Sequence, residues 1–189
     1  MDALTALHTR NSAPSLVKPA PGPAERDQIF AAALRAPDHA RLRPWRFLVV
    51  EGAARKDLGR RLAEVAARAN PDLGEQERTK LRNAPLRAPM VVVVAARLQE
   101  NPKVPEIEQL LSAGCAAHGM LLACHALGYG AMWRTGSVTY LPGLNDALGL
   151  DASDRVIAFL YIGTVAGEPK RLPEERISDY VENWTGEAS

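Results

Sequence analysis

Three short clusters pair an arginine with hydrogen-bonding or aromatic neighbours, and each lies where a predicted helix or strand ends. They are Arg10-Asn11-Ser12, Arg35 with Asp38-His39, and Trp133-Arg134-Thr135. A guanidinium is always charged in proteins and can bind a phosphate or carboxylate through two parallel hydrogen bonds. The clusters are therefore candidate sites for an anionic ligand, although an exposed arginine at the end of an element is usually only solvated.

Motifs of several other enzyme classes do not occur in the sequence. It has no Gly-x-Ser-x-Gly nucleophile turn, no phosphate-binding P-loop and no Gly-x-Gly-x-x-Gly after a strand. The sequence Leu127-Gly128-Tyr129-Gly130 by itself predicts only the end of a helix. These observations argue against a hydrolase and against a P-loop kinase.

A metal site at the histidines is a weak alternative. His118 and His125 are seven residues apart on a predicted helix, and Cys115 precedes the first by three. Because no carboxylate or further cysteine lies at ligand spacing, histidines buried in the core and bonded to backbone are favoured. Cys115 and Cys124 lie on opposite faces of the helix and cannot pair, so both are predicted as small buried side chains in a reducing compartment.

Composition indicates one globular domain over residues 1–189. Hydrophobic residues make up 47% and charged residues 24%, enough apolar surface for a packed core. The net charge of +1 is too small for the positive field that nucleic-acid binding requires. The N-terminal residues lack the basic and apolar stretches of a secretory leader, which predicts the cytoplasm.

Hydrophobic periodicity predicts the elements that position these clusters. Four prolines make 11–23 an extended connection, and 37–45 is a loop. The valine run at 90–96 is typical of a strand buried on both faces. The predicted helices cover 2–10, 24–35, 53–69 and 71–85, and the predicted strands cover 46–50, 90–96 and 154–164.

The stretch from 110 to 133 has no charged side chain, and its length would allow it to cross a membrane. Two histidines, four glycines and a break near Gly128 argue against that interpretation. We expect instead a helix buried on all sides, with small residues that let a neighbouring backbone approach closely. In a chain of this size such burial suggests a partner subunit.

The C-terminal residues 167–189 form a charged tail. Ile177, Tyr180, Val181 and Trp184 recur in it at helical spacing. An apolar stripe of this kind predicts a helix that docks on the body of the protein or on a partner subunit.

Taken together, the clusters resemble, in order and spacing, the nitroreductase family of FMN flavoproteins, in particular its short branch of NAD(P)H nitroreductases. The resemblance covers residues 1 to about 165. Further matching segments are Arg35-Ala36-Pro37-Asp38-His39, Arg43-Pro44-Trp45-Arg46-Phe47, Arg82-Asn83-Ala84-Pro85, Asn101-Pro102-Lys103-Val104-Pro105, Ser112-Ala113-Gly114 and Trp133-Arg134-Thr135-Gly136.

The resemblance implies an α+β, three-layer sandwich whose central, mostly antiparallel sheet is flanked by helices. It also implies a homodimer that packs through the uncharged helix and holds FMN at the interface. The implied FMN contacts are Arg10, Asn11, Ser12, Arg35, His39, Trp133, Arg134 and Thr135. The implied NAD(P) segment comprises Ala123, Cys124, His125, Ala126, Leu127 and Gly128.

The implied activity is ping-pong transfer of hydride from NADH or NADPH, through FMN, to a nitroaromatic, a quinone or a similar acceptor. Transfer at the flavin needs no protein nucleophile or base, and an arginine beside the N1 and C2=O edge favours the reduced ring. The sequence leaves open which arginine lies at the ring and which at the phosphate. Asn11 stands where the branch has a second arginine, so one positive charge is missing.

Two alternatives remain open at this point. One is a flavoenzyme of the same fold with a substrate that is not a nitro compound, such as a quinone, an enone or a flavin that is itself consumed. The other is a dimer that binds flavin or a metabolite without turnover.

Overall fold

The structure is a computed structural model that describes residues 1–168 and 170–186. Within these residues, short 3-10 helices at His39–Arg41, Ala84–Arg87 and Ser137–Tyr140 join the larger elements, and a fourth, Ile177–Asp179, lies in the tail after them. The helices and strands are α1 (Ala3–Thr9), β1 (Leu16–Val17), α2 (Pro23–Ala33), β2 (Trp45–Glu51), α3 (Ala54–Ala69), α4 (Glu75–Asn83), β3 (Met90–Ala96), α5 (Glu106–Ala126), β4 (Gly130–Arg134), α6 (Leu144–Leu148) and β5 (Arg155–Val165).

The five strands form one sheet in the order β1-β5-β3-β2, with β4 also paired to β5, and every pair is antiparallel. β3 is central, with Val92 opposite Val49 on β2 and Leu160 on β5. All seven of its residues are buried, as the valine run predicts. β4 pairs with the other edge of β5, which places Trp133 and Arg134 of the predicted cluster in a strand of the sheet.

Helices cover both faces of the sheet. On one face α2 and α5 pack against it through Ile29, Met120 and neighbouring residues. Glycine suits the close contact between these two helices, because a Cβ at Gly119 would lie 3.1 Å from the Ala32 carbonyl oxygen, closer than most Cβ contacts. On the other face α3 and α6 contribute Leu62 and Leu144 to a second core. The predicted α+β three-layer sandwich is confirmed.

The uncharged stretch differs from the prediction of a helix buried on all sides. α5 begins at Glu106 and ends at Ala126, and after a turn the chain continues as β4, which the sequence did not predict. Ile107 and Leu111 are 59% and 61% exposed within the single chain. With Cys115, also exposed, they lie four residues apart on one helical face, which we call the α5 apolar face. Packing on the sheet therefore covers only part of the helix.

The same helix is the one element in the described part of the chain whose length and hydropathy would allow a membrane span. Its length and hydropathy are weak evidence for a membrane span, because 44% of its most apolar segment is buried inside the fold, as in a core helix.

The predicted C-terminal helix is wrong over the described residues. Only a single 3-10 turn, Ile177–Asp179, forms there. Ile177, Tyr180, Val181 and Trp184 are all exposed in the single chain. Helical spacing alone does not fix a helix that lacks a surface to pack on. Docking of this tail stays a prediction, and residues 169 and 187–189 of it lie outside the described ranges.

Candidate functional site

The first predicted cluster follows α1 and runs beside β4. Arg10 is the C-terminal cap of α1, and the Ala13 amide donates to the Ala131 carbonyl at 3.1 Å. Asn11 connects two segments. Its Oδ1 accepts from the Ser12 amide at 2.8 Å, and its Nδ2 donates to the Lys170 carbonyl at 2.9 Å. Lys170 is thereby held beside a cluster that is distant in sequence.

A cavity of about 270 Å³ opens beside this cluster. Its lining includes Asn11, Ser12, His125 and Lys170. His125 Nε2 lies 2.8 Å from the hydroxyl of Thr9, another lining residue. Residues predicted to contact FMN and a residue of the predicted NAD(P) segment therefore share one site. The sequence analysis missed Lys170, because a lysine in a charged tail does not show what it contacts.

The third cluster forms the end of β4. A Cβ added at Gly114 of α5 would lie 4.0 Å from Cη2 of Trp133, so the indole packs close to the middle of that helix. The Arg134 guanidinium carbon lies 5.6 Å from the centre of the Tyr161 ring, at cation–π distance. Burial raises the pKa of Tyr161, against the opposing effect of Arg134 and Arg87, so the phenol stays neutral at physiological pH. Thr135 follows and is exposed.

The second cluster lies in a strained loop between α2 and β2. Ala40, Arg41 and Arg43 have φ values of +58°, +53° and +50°. Non-glycine residues rarely adopt this conformation, and such strain persists only where the surroundings enforce it. Here the Asp38 carboxylate accepts from the amides of Leu42 at 3.1 Å and Arg43 at 2.8 Å. Asp38 therefore shapes the loop that carries His39.

Two contacts fasten this loop to α5. The Ser112 hydroxyl donates to the Pro37 carbonyl at 2.6 Å and accepts from Trp45 Nε1 at 3.0 Å. His39 Nδ1 lies 2.6 Å from Glu108 Oε2. Arg35, just beyond the end of α2, is exposed.

The predicted FMN residues do not form one cluster within the chain. His39 lies against Glu108 near the start of α5, whereas Thr9, next to Arg10, lies against His125 near its end. Seventeen residues of helix separate these two contacts, about 26 Å at 1.5 Å per residue. The structure brings Arg10, Asn11 and Ser12 next to β4 but leaves His39 at the other end of α5, and Arg35 lies between the Gly119 and Ser112 levels of that helix.

The predicted NAD(P) segment forms the last turn of α5 and the turn after it. Leu127 is the C-terminal cap, and Gly128 has a φ of +83° that suits the left-handed turn. Cys124 is fully buried, and burial raises the pKa of its thiol to about 12. Ala123, His125 and Leu127 are partly exposed, and Ala126 and Gly128 are exposed.

The structure corrects two predictions about histidine and cysteine. His118 is exposed rather than in the core, and His125 is bonded to a side chain rather than to backbone. Cys115 is exposed, since it lies on the α5 apolar face. Across residues 1–168 and 170–186, no group of three or more His, Cys, Asp or Glu side chains could hold a metal ion.

Comparison with known proteins relates this arrangement to one family. The family model described as Nitroreductase family matches residues 16–164. An Escherichia coli (strain K12) protein named "Putative NAD(P)H nitroreductase YdjA" is 43% identical over 164 residues, covering 87% of this chain and 88% of its own. A Haemophilus influenzae protein named "Putative NAD(P)H nitroreductase" is 43% identical over 180 residues, covering 95% and 96%.

Solved structures share the fold at low sequence identity. The nitroreductase-like family protein from Bacillus cereus has a TM-score of 0.81 at 22% identity, covering 97% of this chain and 96% of its own. A nitroreductase with bound FMN from Bacteroides fragilis has a TM-score of 0.73 at 19% identity, covering 95% and 97%.

Proposed function

The chain belongs to the nitroreductase family, a family of oxidoreductases, and from this premise we propose that it is an FMN-dependent NAD(P)H oxidoreductase. Its acceptor would be a nitroaromatic, a quinone or a similar compound. The observation that carries the proposal is the site beside β4, where Ser12, Asn11 and Lys170 line one cavity. The FMN bound by the Bacteroides fragilis structure of the same fold supports the choice of cofactor.

The residues at this cavity fit the phosphate end of FMN. A phosphate monoester carries close to two negative charges and accepts hydrogen bonds from hydroxyls, amides and cations. Ser12 supplies a hydroxyl and Lys170 an ammonium. Asn11 carries no charge, but its hydrogen bond to the Lys170 carbonyl holds the backbone of that lysine beside the cavity. We propose that Lys170, rather than Glu168, whose carboxylate also lines the cavity, faces the phosphate and provides the charge that Asn11 lacks.

The residues at the end of β4 fit the ring end. When bound, FMN supplies the ring that takes hydride from the nicotinamide and passes electrons to the acceptor. Arg134 is held in place by stacking on Tyr161, which keeps its charge oriented beside the sheet. We assign Arg134 to the electron-rich edge of the ring, where a fixed positive charge favours the reduced state. Trp133, which faces α5 on the opposite side of the sheet, and Thr135, which follows Arg134, are the further proposed contacts.

A complete site would require two protomers. The α5 apolar face is uncovered in the single chain, and the two halves of the predicted contact set lie about 26 Å apart along that helix. Antiparallel packing of two α5 helices would bury the apolar face. It would also bring the start of the partner's α5, with the partner's His39, nearer to the end of α5 that contacts Thr9. We infer a homodimer with FMN at its interface.

The donor and the acceptor would use the same open face in turn. We assign the nicotinamide nucleotide to the end of α5, where His125 and Gly128 reach the surface next to the cavity. Cys124 is buried and would not touch the nucleotide. Because the donor and the acceptor would have to use the same open face of the flavin ring, they could not be bound together, and the mechanism would be ping-pong.

Two measurements test the proposal. The visible spectrum of the protein as purified should show the bands of bound flavin, and NADH or NADPH oxidation should continue when a nitroaromatic or a quinone is added. A colourless protein that gains no flavin colour on incubation with FMN would contradict the cofactor. A protein that holds FMN but oxidises neither nucleotide would be a binding dimer rather than an enzyme.

A further inference from the structure

One side chain of α5 contacts both ends of the strained loop between α2 and β2. The Ser112 hydroxyl donates to the Pro37 carbonyl at 2.6 Å and accepts from Trp45 Nε1 at 3.0 Å. Pro37 lies at the start of the loop, and Trp45 is the first residue of β2. The loop of residues 37–45 is therefore closed on a single oxygen atom.

Nothing else in the described part of the chain replaces this link. Ser112 is buried, and neither Pro37 nor Trp45 makes another hydrogen bond to α5 among the described residues. A serine hydroxyl has one hydrogen to donate, and here the Pro37 carbonyl accepts it. Ser112→Ala would remove the donor to Pro37 and the acceptor for the Trp45 indole together, so both ends of the loop would lose their hydrogen bond to the helix.

The loop also needs support from outside to keep its conformation. Three non-glycine residues of the segment 40–43 have positive φ values, and such strain persists only where the surroundings enforce it. The Asp38 carboxylate supports the loop from within, through two of its backbone amides. Ser112 supports it from α5, by fixing where its two ends lie.

The side chain that this arrangement holds in place is that of His39. His39 is two residues from Pro37, and its Nδ1 lies 2.6 Å from Glu108 Oε2. Glu108 and Ser112 are four residues apart on α5 and so lie on the same side of the helix. Two successive turns of α5 thus bind the loop at Pro37, His39 and Trp45.

We propose that Ser112 is a positioning residue for His39 in the proposed flavin site. Ser112 does not contact FMN, because its hydroxyl is buried and its one hydrogen is already donated within the protein. It holds the loop, and the loop presents the His39 imidazole to the cofactor. This inference rests on the proposed function, in which His39 contacts FMN.

Fluorescence titration of the apoprotein with FMN tests the proposal through a pair of variants and their combination. Ser112→Ala should weaken FMN binding about fivefold, as His39→Ala should, because both lose the same ordinary hydrogen bond. In the double variant, Ser112→Ala should cost less than twofold beyond His39→Ala alone, since residues that act through one contact are not additive. A general loss of structure would weaken binding equally in both backgrounds.

Asn145→Ala is the matched control. Asn145 Nδ2 also joins two groups, since it donates to the carbonyls of Asp151 and Asp154 at 2.9 Å, but it lies on α6 and does not contact the loop. Its FMN affinity should stay within twofold of wild type. Trp45→Phe removes only the indole N–H, so it decides the result if Ser112→Ala fails to fold. It should weaken FMN binding about twofold, and not at all when His39 is already alanine.

Trypsin provides a second readout that does not involve the flavin. Arg41 is exposed in the middle of the loop, so Ser112→Ala apoprotein should be cleaved after Arg41 faster than wild type or Asn145→Ala, as followed by mass spectrometry. Unchanged cleavage, wild-type FMN affinity in folded Ser112→Ala, or a full fivefold loss on top of His39→Ala would each overturn the positioning role. Wild-type affinity in His39→Ala would instead overturn the flavin contact on which this inference rests.

Discussion

His39 Nδ1 lies 2.6 Å from Glu108 Oε2, and this contact joins the strained loop after α2 to the first turn of α5. Both side chains are about half exposed, at 54% and 43%. An exposed pair of this kind contributes little to stability. Its effect is on orientation, because a carboxylate bound to one ring nitrogen fixes how the other nitrogen is presented.

The first prediction follows from that contact. His39→Ala should lower FMN affinity about fivefold, the value of one ordinary hydrogen bond, and Glu108→Gln should lower it less. Glu106→Gln is the matched control, because it removes the same charge from the same turn of α5 without contacting His39. Fluorescence titration of the apoprotein with FMN measures all three. Wild-type affinity in His39→Ala would remove His39 from the flavin site.

The second prediction concerns the cations proposed to hold FMN. Arg10→Ala, Arg134→Ala and Lys170→Ala should each weaken FMN binding about tenfold to a hundredfold, because each removes a charge-assisted hydrogen bond. The fold should stay intact, as judged by circular dichroism. Arg68→Ala, at an exposed position on α3, should bind FMN normally. If the first three variants copurify with a full complement of FMN, the cofactor has been placed wrongly.

Periodicity predicted most of the fold because burial on one face leaves a pattern in the sequence. The valine strand β3 and the amphipathic helix α3 were found to within a few residues. β4 was missed because the first four of its five residues continue an uncharged run, and only pairing with β5 makes them a strand. The C-terminal tail shows the opposite error, since helical spacing occurs there without a helix.

The site was less predictable, because it depends on contacts between distant segments. The clusters at Arg10, His39 and Arg134 were recognised by residue type and order. Nothing in the sequence shows that Asn11 binds the backbone of Lys170, 159 residues later. The strained backbone at Ala40 and its neighbours was equally hidden, since none of these residues is glycine.

The third prediction tests the dimer through the α5 apolar face. The protein should be a dimer at low micromolar concentration, and Leu111→Asp should convert it to a monomer of 20.5 kDa that loses FMN. Leu86→Asp, on an exposed leucine away from α5, should remain a dimer with its flavin. Light scattering and the flavin absorbance of the same samples give both results. A monodisperse wild-type monomer contradicts the interface and the shared flavin site.

The fourth prediction uses the two thiols as reporters. In the wild-type dimer neither should react quickly with a thiol reagent at pH 8, whereas the Leu111→Asp monomer should expose Cys115 and react at one thiol per chain. Cys124 should stay unlabelled in both. With a pKa of about 12 it is neutral at pH 8, and its thiolate fraction is about one in ten thousand.

The pH dependence of this labelling has a defined sign. Burial favours the neutral thiol of Cys124, so raising the pH from 7 to 9 should not label it while the fold persists. Urea should make Cys124 reactive, which supplies the positive control. Two rapidly reacting thiols in the native wild-type protein would show that α5 is more open than described.

The last prediction concerns the order of substrate binding. If NADH or NADPH and the acceptor reach the flavin from the same open face, they cannot be bound together. Initial rates at several fixed acceptor concentrations should then give parallel double-reciprocal lines. Excess acceptor should inhibit competitively against the nucleotide, because both compete for the oxidised enzyme.

Rapid mixing separates the two halves of the reaction. NADH or NADPH alone should bleach the flavin colour, and a nitroaromatic or quinone added afterwards should restore it. Arg134→Ala, reconstituted at saturating FMN, should be reduced more slowly than wild type, because the charge that favours the reduced ring is gone. Arg68→Ala should be reduced at the wild-type rate. Intersecting lines, with a flavin that stays oxidised until both substrates are present, would instead establish a ternary complex and rule out a single shared face.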